Sequence, residues 1–540
     1  MDLLKTTIGI ELGSTRIKAI MLDEKFNIIA QGIYDWENKL INGIWTYSID
    51  LAIKGLQECY RNLAFNFKEK YNMPLDKTGA IGISGMMHGY LVFDSDDNQI
   101  AEFRTWRNTI TGEASKILTD KFGFHIPQRW SIAHIYQAIL NKEKDVEKIS
   151  FATTLAGYIH YLLTSNKVIG IGEASGMFPI DSSILDYNEK MLDIYDELVN
   201  DNVSYKIKDI LPKVLTCGSN AGYLTKEGAL LLDPTGILQP GIPFCPPEGD
   251  MQTGMVATNS VKEYTGNASL GTSSNVTIIT NKDINIYEQI DVITTPEGIN
   301  AALVHVNNGT SDINAWVNLF YDVVKLVGCD VDKNTLFTKL FESSLEGNKN
   351  IDGMLAYNYF SGEPICNINE GRPLVIRNPE YPMDIKSFMR MNIYSVLTTI
   401  RMGMDILTNE EGIKIDKLYG HGGFFKTPNV GQLMLSSALN TKVLTLSSAD
   451  LGGPYGMALL AAYYLFNKKE RLASFLDNNV FSNIKSNEAM ANNCQIDEFN
   501  KYYERFKKSL NIEKCAIKEF RWLYARGIKT RGIWGKYGLI

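Results

Sequence analysis

The chain is 540 residues long, more than one hydrophobic core usually organises, so at least two domains are expected. Apolar residues make up 45% and charged residues 21%, an ordinary globular balance, and a net charge of −7 argues against a general nucleic-acid or membrane-surface role. The seven cysteines are scattered, odd in number and without a CxxC pair, and Met1 to Lys5 run into an apolar stretch with no leader pattern, so a reduced, cytoplasmic protein is expected.

Between Ile8 and Ala30 apolar residues alternate on both sides of Leu12-Gly13-Ser14-Thr15 and resume after Asp23-Glu24-Lys25. The pattern predicts strand, tight glycine turn, strand, polar turn, strand. Glu11 sits before the turn and Lys18 close behind it. Turn N–H groups and hydroxyls suit phosphate oxygens, and a nearby carboxylate suits a hydrated magnesium ion. An ordinary hairpin whose glycine permits an unusual angle accounts for the same residues. Helical spacing follows over 50–72, then a buried strand over 80–84 that ends in Met87-His88-Gly89. His88 there is either a ligand contact or a hydrogen-bonded structural residue. Tyr90 to Phe93 reads as a further strand, closed by the turn-forming residues 94–98. Trp106 and Asn108 offer an aromatic face and an amide to polyol hydroxyls, or simply a packed tryptophan. Helical patterns dominate 109–164.

Pro, Gly and Asp punctuate residues 233–250, ending in Pro246-Pro247-Glu248-Gly249-Asp250, and helical character returns over 251–258. A domain boundary is therefore expected near 258. Asp250, at the mouth of that helix, is the best candidate general base; capping the helix is its alternative role. Leu270-Gly271-Thr272-Ser273 then repeats the grammar of the first turn, so two turns, one per half, could grip a polyphosphate from opposite walls. A helix is expected over 387–408 and a strand over 417–420. Gly422 and Gly423 after that strand, and the run 450–456 with Gly453 and Gly456, form two glycine-rich corners where a flat adenine could approach the backbone. The longest apolar run, 456–466, is too short to span a bilayer. From 467 the chain is polar and mostly helical, an appendage without an obvious site, and its basic, aromatic end at 520–536 reads as a solvated face or partner contact. GxGxxG, P-loop and zinc-ligand patterns are absent, and Asn308-Gly-Thr matches a glycosylation sequon by chance.

In order and spacing, Ile10 to Lys18, Gly82 to Gly89, Trp106 to Thr109, Gly249-Asp250, Leu270 to Ser273, Gly422-Gly423 and Gly453 to Ala461 resemble the FGGY carbohydrate kinases of the actin-like ATPase superfamily. The resemblance implies an α/β fold of two ribonuclease-H-like domains around a cleft, here 1–257 for sugar and 258–540 for ATP. It implies ATP-dependent phosphorylation of a small-molecule sugar, with Mg²⁺, and Met87-His88-Gly89 is similar to xylulokinases, pointing to a ketopentose or related polyol. Asp250 would take the proton from the attacking hydroxyl and, with Glu11, hold Mg²⁺. Met87, His88, Trp106, Asn108, Asp250 and Gln252 would contact sugar. Gly13, Ser14, Thr15, Lys18, Gly271, Thr272 and Ser273 would hold phosphates, with Gly422, Gly423, Gly453 and Gly456 around adenosine. A homodimer is a further expectation, since relatives of this kind often pair. Three positions depart from the family's pattern: Glu11 for an aspartate, Met86 for a glutamine and Asn108 for an acid. Met86 and Asn108, in the expected sugar site, point to a substrate other than D-xylulose, and the three together motivate a rival, a catalytically silent sugar or nucleotide sensor; an actin-like filament is a third, poorly supported reading, because the second-half motifs look like those of a soluble kinase.

Overall fold

The computed structural model describes residues 2–349, 351–447, 452–466 and 469–520. The opening hairpin forms as its alternation requires. Strand β1 (Thr7–Leu12) pairs antiparallel with β2 (Arg16–Leu22), Leu12 opposite Ile17, and β2 pairs antiparallel with β3 (Ile28–Asp35). Strand β4 (Ala80–Gly85) lies parallel to β1, with Ser84 beside Glu11, and the short β5 (Glu248–Gly249) lies parallel to β4. The sheet order is β5-β4-β1-β2-β3. Helix α1 (Ile49–Tyr71) covers β3; Ser48 caps its start by accepting the Leu51 N–H, and Asn72 ends it in the left-handed region.

The second sheet repeats the plan. Strands β6 (Thr265–Leu270), β7 (Ser274–Ile279), β8 (Ile290–Thr294), β9 (Asn300–Val306), β10 (Lys417–His421), β11 (Lys442–Leu446) and β12 (Ser486–Ala489) are ordered β8-β9-β7-β6-β10-β11-β12. Pairings β6–β7 and β7–β9 are antiparallel, while β6–β10 and β10–β11 are parallel, so β9-β7-β6-β10-β11 reproduces β3-β2-β1-β4-β5. The echo of four residues in the sequence is the visible part of a duplicated five-stranded motif, the α/β fold of two ribonuclease-H-like units.

Among the further helices are α2 (Asp250–Ala257), α3 (Ser311–Leu326), α4 (Ile385–Asp405), α5 (Gly452–Phe466) and α6 (Asn493–Glu519). Helix α5 follows the second sheet in sequence yet packs on the first. A Cβ on Gly9 of β1 would fall 2.3 Å from the Ala458 nitrogen and the Pro454 oxygen, and Thr7 Oγ1 donates to the Ala458 carbonyl at 3.0 Å. The chain thus returns to its first half after 450, across the expected boundary near 258. The segment beyond 467 is no loose appendage either. Strand β12 extends the second sheet, and α6 buries Phe499, Tyr502, Tyr503 and Phe506 in its core, an i, i+3, i+4, i+7 stripe within an otherwise polar helix. Asp450 and Leu451 of the second glycine-rich corner, and the basic run from Arg521, lie outside the described residues.

Candidate active site

Each sheet carries a glycine turn between its first two strands, and each turn is fixed from the protein side. At the first, Trp36 donates from Nε1 to the Gly13 carbonyl (2.6 Å) and from its backbone N–H to Thr15 (3.1 Å), while Tyr47 Oη donates to Ser14 (2.5 Å). At the second, Gly309 N–H donates to the Thr272 carbonyl (2.9 Å), and the Thr310 N–H and hydroxyl both donate to Gly271 (2.7 and 3.0 Å). The Gly13 and Gly271 N–H groups are spent within the turns, on the Arg16 and Ser273 carbonyls (both 3.0 Å), which leaves the hydroxyls and the N–H groups of the following turn residues for an anion. Neither Gly13 nor Gly271 has positive φ, so the angle-permitting role considered for the first turn does not apply. The 307–311 loop that braces the second turn carries no signal in the sequence beyond the Asn308 sequon. Its order comes from Asn308, whose backbone N–H and Nδ2 donate to buried Glu363 (3.2 and 3.0 Å) and whose Oδ1 accepts the Phe360 and Ser361 N–H groups.

Beside the first turn lie carboxylates. Asp250 opens α2, with Gly249 rather than itself in the cap position, and its Oδ1 accepts the Met87 N–H at the end of β4 (3.4 Å). Burial pushes Asp250 up to about 6 against the pull of N–H bonds from Met87 and Met251. Burial and the Asp250 charge raise Glu11 to about 7, opposed by Lys18, its cross-strand partner. Glu11 leans over the first turn of α5: a Cβ on Gly453 would lie 2.2 Å from Glu11 Oε1, and the helix terminus favours negative charge there. Behind Asp250, burial lifts Glu248 to about 8 and Glu173 well above the carboxylate range. Two carboxylates therefore lie beside the turn, backed by two more that burial pushes upward.

The expected sugar contacts divide. Met87 meets Asp250 through its N–H, and Trp106, 38% exposed, reaches Ser14 Oγ with Nε1 at 3.4 Å. Three others spend their polar atoms internally, except that Gln252 Oε1 is buried without a hydrogen-bond partner. Asn108 is 2% exposed; its Oδ1 accepts the Trp45 N–H and its Nδ2 donates to the Trp45 and Thr105 carbonyls, all at 2.9 Å. Gln252 is fully buried and donates from Nε2 to Gly172 and Thr294 carbonyls, each at 3.0 Å. His88 donates from Nδ1 to the Gly176 carbonyl (3.1 Å) and accepts at Nε2 from Arg129 (3.2 Å). Burial and Arg129 push its pKa down to about 3, so the ring is neutral and both nitrogens are occupied. Asn108 and His88 thus have their side-chain polar atoms on internal partners.

The corner glycines divide likewise. Gly422 has φ 97° and backs onto the Leu270 carbonyl, 2.6 Å from where its Cβ would stand, bringing the 422–423 corner against the second turn. Gly423 and Gly271 each leave open space where a side chain would be, apart from one contact at 3.7 Å for Gly271. Gly453 adjoins Glu11 rather than a corner for adenosine. Gly456 lies at the α5–α2 crossing, where a Cβ would come within 1.9 Å of the Thr253 carbonyl oxygen, so its glycine is a packing requirement. All seven cysteines are free, and among the described residues no group of three or more His, Cys, Asp or Glu could hold a metal, and no helix is long and apolar enough to cross a membrane.

Residues 6–257 match the FGGY family of carbohydrate kinases, N-terminal domain, and residues 266–465 its C-terminal domain. The chain is 22% identical to xylulose kinase of Haemophilus influenzae over 526 residues, covering 93% of this chain and 99% of that protein. The ligand-bound xylulose kinase from Lactobacillus acidophilus superposes with a TM-score of 0.77 at 16% identity, over 96% of this chain and 100% of that one. A gluconate kinase from the same organism gives 0.77 at 17% identity, over 96% and 99%.

Proposed function

Because this chain belongs to the FGGY family of carbohydrate kinases, and so moves a phosphoryl group from ATP to a sugar hydroxyl, we propose that Asp250 is its general base and a ketopentose or closely related polyol its acceptor. The observation that carries this reading is the Asp250 carboxylate, half-buried at the mouth of α2, tied to the end of β4 through Met87, and set beside Glu11 and the first glycine turn. A carboxylate with a pKa of about 6 is ionised at neutral pH yet basic enough to accept a proton as the oxygen attacks.

The step is an in-line displacement, dominated by positioning and charge neutralisation. The sugar oxygen forms its bond to the terminal phosphorus while its proton passes to an Asp250 oxygen, and the bridging P–O bond breaks with its electron pair leaving on ADP. Ser14, Thr15, Thr272 and Ser273, with the turn N–H groups, meet the charge spread over the phosphoryl oxygens. Lys18 adds a cation on the strand opposite Glu11. Two carboxylates, the rest of the shell coming from phosphate oxygens and water, suit magnesium. Glu11 and Asp250 would hold that ion, which when bound supplies positive charge to the phosphates.

The xylulose kinase relative and the Met87-His88-Gly89 element favour a ketopentose. Internal use of Asn108 weakens the case for a substrate other than D-xylulose. The test is ADP release with ATP and Mg²⁺ across ketopentoses, polyols and aldonates, the last included because of the gluconate kinase likeness. Release dependent on a ketopentose, with a sugar phosphate recovered, is the expected result. Thermal stabilisation by sugars without ADP release from any of them would instead identify a silent sensor.

A further inference from the structure

The edge strand β8 of the second sheet meets the first half at two places, Thr294 and Asp291, that bear on the loop Met87 to Gly89, read above as sugar-facing. Thr294 donates from its N–H to Ser175 Oγ and from its hydroxyl to the Ile171 carbonyl, both at 3.0 Å. It thereby grips the segment whose Gly176 carbonyl accepts His88 Nδ1. Asp291, 6% exposed, forms an ion pair with Arg129, whose Nε donates to His88 Nε2, and His125 Nε2 stands 3.4 Å from the other Asp291 oxygen. Burial works against the Asp291 charge, but Arg129 and His125 outweigh it and hold its pKa below the ordinary range. His88, at φ 67° and stacked on Trp130, is clasped at both nitrogens by arms that end on β8.

On its other side β8 pairs with β9, Asp291 opposite Leu303, and β9 with β7, Val306 opposite Ser274. Strand β9 runs directly into the 307–311 loop that takes up the carbonyls of Gly271 and Thr272. One guanidinium and two paired strands thus join the sugar-facing loop to the second phosphate turn.

We propose that Arg129 is a positioning residue that couples the sugar and nucleotide subsites, by holding His88 against Asp291 so that ordering the sugar-facing loop also orders the Gly271–Ser273 turn. This rests on the reading of those subsites given above. Such coupling is reciprocal and appears as a change in one ligand's affinity when the other is bound. A mere structural strut would move stability without moving that ratio. Because Asp291 is buried, removing either charge leaves the other uncompensated, and two independent variants are available.

The experiment measures dissociation constants for the β,γ-imido analogue of ATP by calorimetry. They are taken with and without the sugar that the wild-type protein turns over fastest in the panel, D-xylulose being tried first. In the wild type the sugar is expected to tighten nucleotide binding about tenfold. In Arg129→Gln and Asp291→Asn that ratio falls towards one, while affinity for nucleotide alone stays within about twofold. Arg129→Lys, which keeps a cation for Asp291 but loses the planar fork on His88, gives an intermediate ratio and carries the test if Arg129→Gln fails to fold. A wild-type ratio of one, or variants that keep the wild-type ratio, would overturn the proposal. Asp250→Asn is measured alongside: if it stays active the reading of the reacting centre fails, whereas the binding ratio still reports on Arg129.

Discussion

Gly456→Ala should uncouple packing from chemistry in a measurable way. The new methyl carbon would lie 1.9 Å from the Thr253 carbonyl oxygen and 2.7 Å from its carbon, both backbone atoms of α2. To restore an ordinary contact of roughly 3.2 Å, α5 and α2 must part by more than about 1 Å, because no flexible side chain is available to give way. Overpacking of this kind costs about 1–3 kcal/mol, offset by up to about 1 kcal/mol of improved helix propensity, leaving a net destabilisation of about 1–2 kcal/mol. The functional effect should be larger, since Asp250 stands one turn from Thr253 on the displaced helix and a shift of about 1 Å in a reacting group costs on the order of 100-fold in turnover. Urea unfolding followed by tryptophan fluorescence, with a coupled ADP assay, reads both quantities. Gly254→Ala is the control: it lies on α2, its Cβ meets open space, and it should gain stability with turnover changed by no more than about twofold. A Gly456→Ala protein with wild-type unfolding midpoint and turnover would refute the packing argument.

Asp250 and Glu11, raised to about 6 and about 7, must both lose a proton to serve, so kcat/KM should rise with pH through that window rather than near pH 4. A profile flat from pH 5 to 8 would contradict this, and Glu11→Gln should remove the upper part of the limb. Glu11→Gln is also expected to lower kcat by about 100-fold and to raise the magnesium concentration needed for half-maximal rate, with sugar KM unchanged; a magnesium titration checks it. Asn108→Ala should cost about 1–3 kcal/mol of stability in urea unfolding, because it strands the Trp45 N–H, while leaving sugar KM at the wild-type value. A rise in KM without loss of stability would return Asn108 to the sugar.

The duplicated strand motif was legible because its signals are local: alternation around Gly13 and Gly271, and two turn residues with hydroxyls. Asp250 stood out for a similar reason, an acid directly after a proline-rich turn. The roles of His88, Gln252 and Asn108 were not legible, because residue type and position say what a side chain offers but not what consumes it. Their partners, Gly176, Thr294 and Trp45, are 88, 42 and 63 residues away and meet them only through tertiary packing. The return of α5 to the first sheet was hidden likewise, since an all-apolar helix carries no periodicity to say which surface it covers. The Asn308–Glu363 brace spans 55 residues and two loops, where pattern is weakest.

The central claim is that Asp250 accepts the sugar proton, and Asp250→Asn tests it most directly. The amide keeps size and shape but cannot take the proton, so ATP and sugar should bind with near wild-type affinity while single-turnover phosphoryl transfer falls by about 100- to 10,000-fold. Transfer at a near wild-type rate in that variant would contradict the account.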